Sequence, residues 1–176
     1  MGEDRLVSFT AAGPLPVSEL LNDLYGPAHQ LCTIPSDRLT LVLSREREID
    51  LIELEQLCDA VGWSRRPLRR VRRALQNSLL RVGIWRHDPR VPKLVGFARC
   101  TGDGVIDATV WDVAVHPLYQ GAGLGKQLMA YVLAQLQRQQ VQRVSLFADP
   151  EVVGFYSGQG WELEPQGRRC AFWYAP

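Results

Sequence analysis

The residues best placed to do chemistry in this chain are those of the glycine-rich run Gln120-Gly-Ala-Gly123-Leu-Gly125-Lys126. Glycines packed this closely let backbone N–H groups turn inward with no Cβ in the way, and a helix starting there aims the positive end of its dipole at the same spot. Those properties suit an anion, above all a phosphate. Two common phosphate loops fail on spelling. A P-loop requires glycine where Gln120 stands and Ser or Thr where Gln127 stands. The dinucleotide fingerprint requires its third glycine at Lys126.

Other reactive side chains are sparser. Cys32, Cys58, Cys100 and Cys170 form no C-x-x-C pair and no spaced set with His29, His87 and His116, so no metal site is expected. Asp112 sits among apolar neighbours and is either a base or a buried structural partner. His116, followed by Pro117, is either a base or the residue that turns the chain into the glycine loop.

Elements must position these groups. A strand predicted over 106–115 delivers the chain to the loop; alternation places Trp111, Val113 and Val115 on one face and Val110, Asp112 and Ala114 on the other. A helix is predicted over 123–139, with Leu124, Leu128, Tyr131, Val132 and Leu136 inward. The next strand, 143–148, is close enough to make a right-handed parallel crossover. Upstream, strands are expected at 38–44, 79–86 and 94–100, the last two joined through 87–93 and followed by a Thr101-Gly-Asp-Gly104 turn. Helices are expected over 48–61, closing at Gly62, and from just after Ser64 as N-cap, with Pro67 in the first turn. A short helix over 152–158 and closing strands at 161–163 and 170–174 complete the order. Residues 1–37, broken by Pro14, Pro16, Gly26, Pro27 and Pro35, read as an N-terminal arm with one helical turn near 18–25, and 38–176 as one domain.

Composition agrees with a single domain: 46% hydrophobic residues suffice for a sizeable core. A net charge of +1 argues against nucleic acid or an anionic membrane as a partner of the whole molecule. Local charge is another matter, because Arg65, Arg66, Arg69, Arg70, Arg72 and Arg73 cluster on the second helix. They are either a docking patch for an acidic or phosphate-bearing partner or a solvated face. No apolar run approaches the roughly 20 residues a membrane helix needs, and no signal peptide is evident. The expectation is a soluble cytoplasmic protein, monomeric or homodimeric, with its cysteines reduced.

The spelling Gln120-x-x-Gly123-x-Gly125, preceded by Trp111-Asp-Val-Ala-Val-His-Pro and followed by Gly154-Phe-Tyr-Ser-Gly-Gln-Gly-Trp161, resembles the acetyl-CoA pyrophosphate loop and its surroundings in the GNAT superfamily of N-acetyltransferases. More narrowly, Ala108-Thr-Val-Trp-Asp-Val, Val144-Ser-Leu-Phe-Ala-Asp-Pro-Glu-Val-Val-Gly-Phe-Tyr and the closing Phe172-Trp-Tyr are similar to the plastid and cyanobacterial serotonin N-acetyltransferase group. The likeness covers roughly residues 67–176 and implies an α/β (α+β) GNAT fold, a mixed and mostly antiparallel sheet flanked by helices.

It also implies acetyl-CoA as cosubstrate, its pyrophosphate on Gln120, Gly121, Ala122, Gly123, Leu124, Gly125 and Lys126, and its thioester carbonyl polarised by backbone N–H groups at Val113, Ala114 and Val115. The aspartate and tyrosine that the narrower group uses for substrate handling and catalysis fall on Asp149 and Tyr156. Where its plant members have an amine-binding asparagine, this chain has Arg143. Transfer is direct, without an acyl-enzyme. Tyr156 is then the general acid for the departing thiolate, while Asp149 either binds the ammonium or acts as base, needing burial or a water chain for the second role. Trp111, with other aromatic residues, suits an indole or phenyl amine. The implied acceptor is an arylalkylamine such as serotonin, with protein lysines or N-termini as the alternative enzymatic reading and a non-catalytic acyl-CoA-binding or docking module as the alternative of another class.

Overall fold

The computed structural model describes residues 28–34, 39–45, 47–87 and 93–174. The helical turn expected near 18–25 and most of the 87–93 connection lie outside them. A six-stranded sheet runs in the order of the sequence: β1 (Ala28–Ile34), β2 (Leu39–Ser44), β3 (Leu80–His87), β4 (Lys93–Gly102), β5 (Asp107–Val115) and β6 (Arg143–Leu146). Every pairing is antiparallel except β5 with β6, which is parallel. The mixed, mostly antiparallel sheet expected from the sequence is therefore what forms. β1 falls in the stretch read as an arm; Pro27 and Pro35 bracket it and hide a strand that declares itself only through pairing with β2.

Helices cover both faces of the sheet. α1 (Leu51–Ala60) starts where the Asp50 carboxylate accepts the N–H groups of Ile52 and Glu53 at 2.8 and 2.9 Å, satisfying two of the unpaired donors at a helix start. It ends with Trp63 N–H on the Cys58 carbonyl and Gly62 N–H on that of Asp59, the paired bonds of a glycine-terminated helix. α2 (Leu68–Gln76) follows, capped at Pro67 and not by Ser64. Leu54 and Leu57 of α1 and Leu75 of α2 share one apolar cluster with Trp85, Phe97 and Ala114. On the opposite face α3 (Leu124–Arg138) contributes Leu124, Leu128, Tyr131, Val132 and Leu136 to a second cluster with Val82, Ile84, Val95 and Val110.

Val110 and Ala114 thus lie on opposite faces although four residues apart, which strict alternation forbids. The cause is a bulge. Pairing runs Gly96 with Val115 and Phe97 with Ala114, then resumes one residue out of step at Arg99 with Trp111, so Asp112 and Val113 together oppose Ala98. The expected separation of Trp111 from Asp112 is therefore wrong. Arg99 is directly opposite Trp111 and bonds the Asp112 carboxylate, which puts all three on the α1–α2 side, while Val113 and Val115 turn to the α3 side.

The chain's end differs too. β6 stops at Leu146, short of the expected 148, and neither 161–163 nor 170–174 forms a strand. Pro165 has no N–H to give a ladder, and Glu164 (φ 46°) and Gln166 (φ 57°) on either side of it are left-handed, which breaks an extended run. Ring contacts fix the segment instead: Phe172 sits 5.0 Å from Phe147, and Trp161 packs at 6.1 Å against Tyr156. Between β6 and that end lies α4 (Val153–Ser157), a short helix close to its expected place.

Candidate active site

The site grows from the place where the two parallel strands part. β5 and β6 pair from Asp107 with Arg143 to Val110 with Leu146. Beyond that point β5 kinks at the bulge and continues to Val115, while the other chain turns away through 147–149. The backbone of Val113, Ala114 and Val115 consequently runs alongside a gap that β6 does not fill.

At the end of β5 the chain is fastened before it enters the loop. His116 N–H donates to the Val95 carbonyl at 2.8 Å, and its Nδ1 accepts the N–H of Leu118 at 3.3 Å. Partial burial and then the charge of Lys93 hold this imidazole below its ordinary pKa, which favours the unprotonated Nδ1 that accepts this bond and caps the turn at 117–119. The Gln120 side-chain amide reaches back to the Val115 carbonyl at 2.8 Å, which ties the loop to the strand by a bond that its spelling alone does not reveal. Gly121 (φ 78°) and Gly123 (φ 79°) are left-handed, a conformation that residues with a Cβ adopt at a cost. Gly123 caps α3 without a side chain, and the first turn carries no acidic residue. Exposed Gly121, Ala122, Gly123 and Lys126 thus surround an uncapped, positively polarised helix start, flanked by half-buried Gly125 and buried Leu124, which suits a phosphate.

α4 is seated on that helix start. A Cβ on Gly125 would lie 3.1 Å from Cζ of Phe155, so the glycine lets the ring approach. Phe155 in turn meets Tyr156 edge-on at 5.0 Å, and Trp161 flanks the phenol from another side. Tyr156 is buried, and burial, with the negative charge of Asp149 added, pushes its pKa above the ordinary value. Asp149 itself is exposed at the end of the β6 segment and caps nothing with its carboxylate. The fold therefore brings Tyr156 and Asp149 into electrostatic contact: a phenol that keeps its proton beside an open carboxylate.

The remaining sequence-derived candidates separate. Arg143 is not brought to this group: its guanidinium grips Asp107 through Nε–Oδ1 at 2.5 Å and Nη2–Oδ2 at 2.7 Å, at the start of β6 and so at the far end of that strand from Asp149. Trp111 stands nearer. Its indole N–H donates to the Thr101 hydroxyl at 2.9 Å, and its ring lies 5.2 Å from Phe147, which continues to Phe172. Asp112 takes the structural role, neutralised by Arg99 and Arg66. Among the described residues no cluster could hold a metal ion, and no helix is long and apolar enough to cross a membrane.

Parted parallel strands beside a glycine loop on a helix start, with a buried phenol at the open end, mark out a class of protein suited to holding an anionic ligand against a strand edge. The comparisons give that class its family. Residues 49–161 match the Acetyltransferase (GNAT) family. An "Uncharacterized N-acetyltransferase ycf52-like" of Prochlorococcus marinus is 62% identical over 98% of this chain and 96% of its own length. "Histone acetyltransferase TAP1" of Glycine max and "Serotonin N-acetyltransferase 2, chloroplastic" of rice are each 39% identical, over 76% and 72% of this chain and 61% and 63% of theirs. Among solved structures, a GNAT family acetyltransferase of Streptococcus pneumoniae aligns with a TM-score of 0.64 at 26% identity, covering 77% of this chain and 98% of that one. The chain belongs to the GNAT acetyltransferase family and is an acetyl-CoA-dependent N-acetyltransferase.

Proposed function

We propose that this enzyme acetylates a small arylalkylamine such as serotonin. The observation that carries the reading is the line of rings Trp111, Phe147 and Phe172, spaced 5.2 and 5.0 Å apart, which reaches the open end of β6 two residues before Asp149. An aromatic amine lying on those rings presents its ammonium towards the carboxylate, which binds it electrostatically. Similarity to the rice serotonin N-acetyltransferase supports the same acceptor class.

In this reading the pyrophosphate of acetyl-CoA rests on residues 120–126, and its thioester arm extends along Val113–Val115, whose N–H groups polarise the carbonyl. The amine, once deprotonated, attacks the carbonyl carbon; a C–N bond forms, and the C–S bond breaks as the tetrahedral intermediate collapses. Tyr156 gives its proton to the departing thiolate. The raised phenol pKa makes this uphill in bulk terms, so alignment has to supply the advantage. The phenol is restored by the proton that the attacking nitrogen sheds as it becomes the amide; the ammonium proton lost before attack goes to solvent. Three of the cysteines, Cys58, Cys100 and Cys170, are free thiols, in keeping with the reducing cytoplasm we infer as its location.

A second reading has its own support. Arg69, Arg70, Arg72 and Arg73 stand exposed on α2, a surface that suits an acidic stretch of a protein substrate, and one relative bears the name of a histone acetyltransferase. Initial rates with serotonin, tryptamine and lysine peptides, at equal acetyl-CoA, separate the two. Turnover of the arylamines is expected; turnover of peptides alone would sink the first reading.

A further inference from the structure

Asp112 departs from the rest of its strand. Its φ is 53°, a left-handed conformation that a residue with a side chain rarely adopts and that Asp and Asn tolerate best. The departure sits at the bulge, immediately before the three residues that face the gap. Two guanidiniums hold the carboxylate from different elements: Arg99 Nε of β4 at 2.5 Å, and Arg66 Nη1, from the connection between α1 and α2, at 3.1 Å. Arg66 is mostly exposed, whereas the Asp112 side chain retains only 15% of its exposure. Beneath this contact lies a cavity walled by Leu54, Cys58, Trp63, Phe97, Arg99 and Asp112. Apolar packing under the α1–α2 connection is thus incomplete, and the Arg66–Asp112 pair bridges it to the sheet.

We propose that Asp112 is a positioning residue of the transfer site: its left-handed backbone turns Val113–Val115 into the gap, and its carboxylate, through Arg66, anchors the α1–α2 connection to that kink. The pair links the α1–α2 connection, which walls the cavity, to the strand edge along which the thioester lies. Trp111, adjacent to Asp112 and on the same side of the sheet, begins the line of rings proposed for the acceptor, so that the acceptor side and the donor side share one fixed point. This rests on the reading of Val113–Val115 as the edge that receives acetyl-CoA.

The two parts separate by substitution. Asp112→Asn keeps a residue that tolerates the left-handed region and removes the charge; Asp112→Val resists that region; Arg66→Gln releases only the α1–α2 connection. Three readouts follow: acetyl-CoA Kd by calorimetry, acceptor KM with serotonin and with a lysine peptide, and backbone amide exchange over residues 61–67. Asp112→Asn and Arg66→Gln are expected to bind acetyl-CoA within about twofold of wild type while amide exchange quickens over 61–67 and acceptor KM rises with little change in kcat; Asp112→Val is expected to weaken acetyl-CoA binding about tenfold or more. If Asp112→Val does not fold, Asp112→Gly against Asp112→Ala gives the same comparison, with glycine binding acetyl-CoA the tighter. Wild-type protein that fails to bind acetyl-CoA defeats the underlying reading. Wild type that binds it, with Asp112→Val binding as tightly, or with exchange over 61–67 unmoved in Arg66→Gln, overturns the proposal alone.

Discussion

At the scale of single residues, Tyr156 carries the sharpest expectation. Replacing it with phenylalanine preserves the edge-on ring packing and removes the proton, so kcat should fall by about 10²–10⁴-fold with acetyl-CoA affinity unchanged. Single-turnover rates at saturating acetyl-CoA measure this, and unchanged turnover would exclude the phenol as acid. Its pH behaviour follows from the direction of the shift. An ordinary tyrosine ionises near pH ~10, and burial with the Asp149 charge raises Tyr156 above that. Below the ordinary value native and unfolded chains both hold the proton; above it only the native phenol does, so this group's share of stability is lost as pH climbs through the folded value. The acid form accordingly persists across the working range, and ultraviolet titration of tyrosinate should show a late-ionising component that the Tyr156→Phe protein lacks. Cysteine reactivity is ordered by the same physics. Burial pushes the Cys100 thiol up to about 12 and raises Cys58 less, while Cys170 is exposed. Of these three, timed alkylation of the native protein should label Cys170 first and Cys100 last.

At the scale of elements, the glycine loop and α3 form one device. Gly123→Ala forces a Cβ into a left-handed cap and should cost about 1–2 kcal/mol, seen as a lower midpoint in denaturant. Because the same amides face the expected pyrophosphate, the substitution should also raise KM for acetyl-CoA more than it lowers kcat. α3 also carries an oddity in its packed face. Gln135 is 1% exposed, and neither polar atom of its amide has a hydrogen-bond partner. Leaving such a group unsatisfied costs about 1–3 kcal/mol, so Gln135→Leu should raise the melting temperature with activity retained; a lower midpoint would mean that the amide has a role in the native core. The loop, α1 and α3 are legible in the sequence because their signals are local: closely spaced glycines, an apolar stripe at helical spacing, Gly62 at a helix end. The bulge in β5 has no such signal. Asp112 and Val113 look like ordinary alternation until β4 is placed opposite them, and the out-of-step pairing at Ala98 then reverses which face each residue meets.

At the scale of the whole molecule, what the sequence by itself determined is what short-range chemistry encodes. Gln120-Gly-Ala-Gly123-Leu-Gly125 specifies a backbone cradle on a helix start, and the order of strands and helices around it is that of a GNAT enzyme, as the family match bears out. Tertiary structure decided which distant residues meet. Arg143 and Asp149 are near in sequence, yet a strand running between them carries them to opposite ends, and Asp107 takes the guanidinium. Asp112 meets Arg66 and Arg99, 46 and 13 residues away, and is an ion-paired tie instead of a base. Phe155 meets Gly125 across the space between α4 and α3. Nor is the end of the chain legible in its residues, since an extended segment becomes a strand only where a neighbouring edge accepts its N–H groups, and the short β6 is followed by a turn that has none to offer. Local propensity is a property of neighbours along the chain; pairing, burial and charge compensation depend on separation in space, which the fold alone sets.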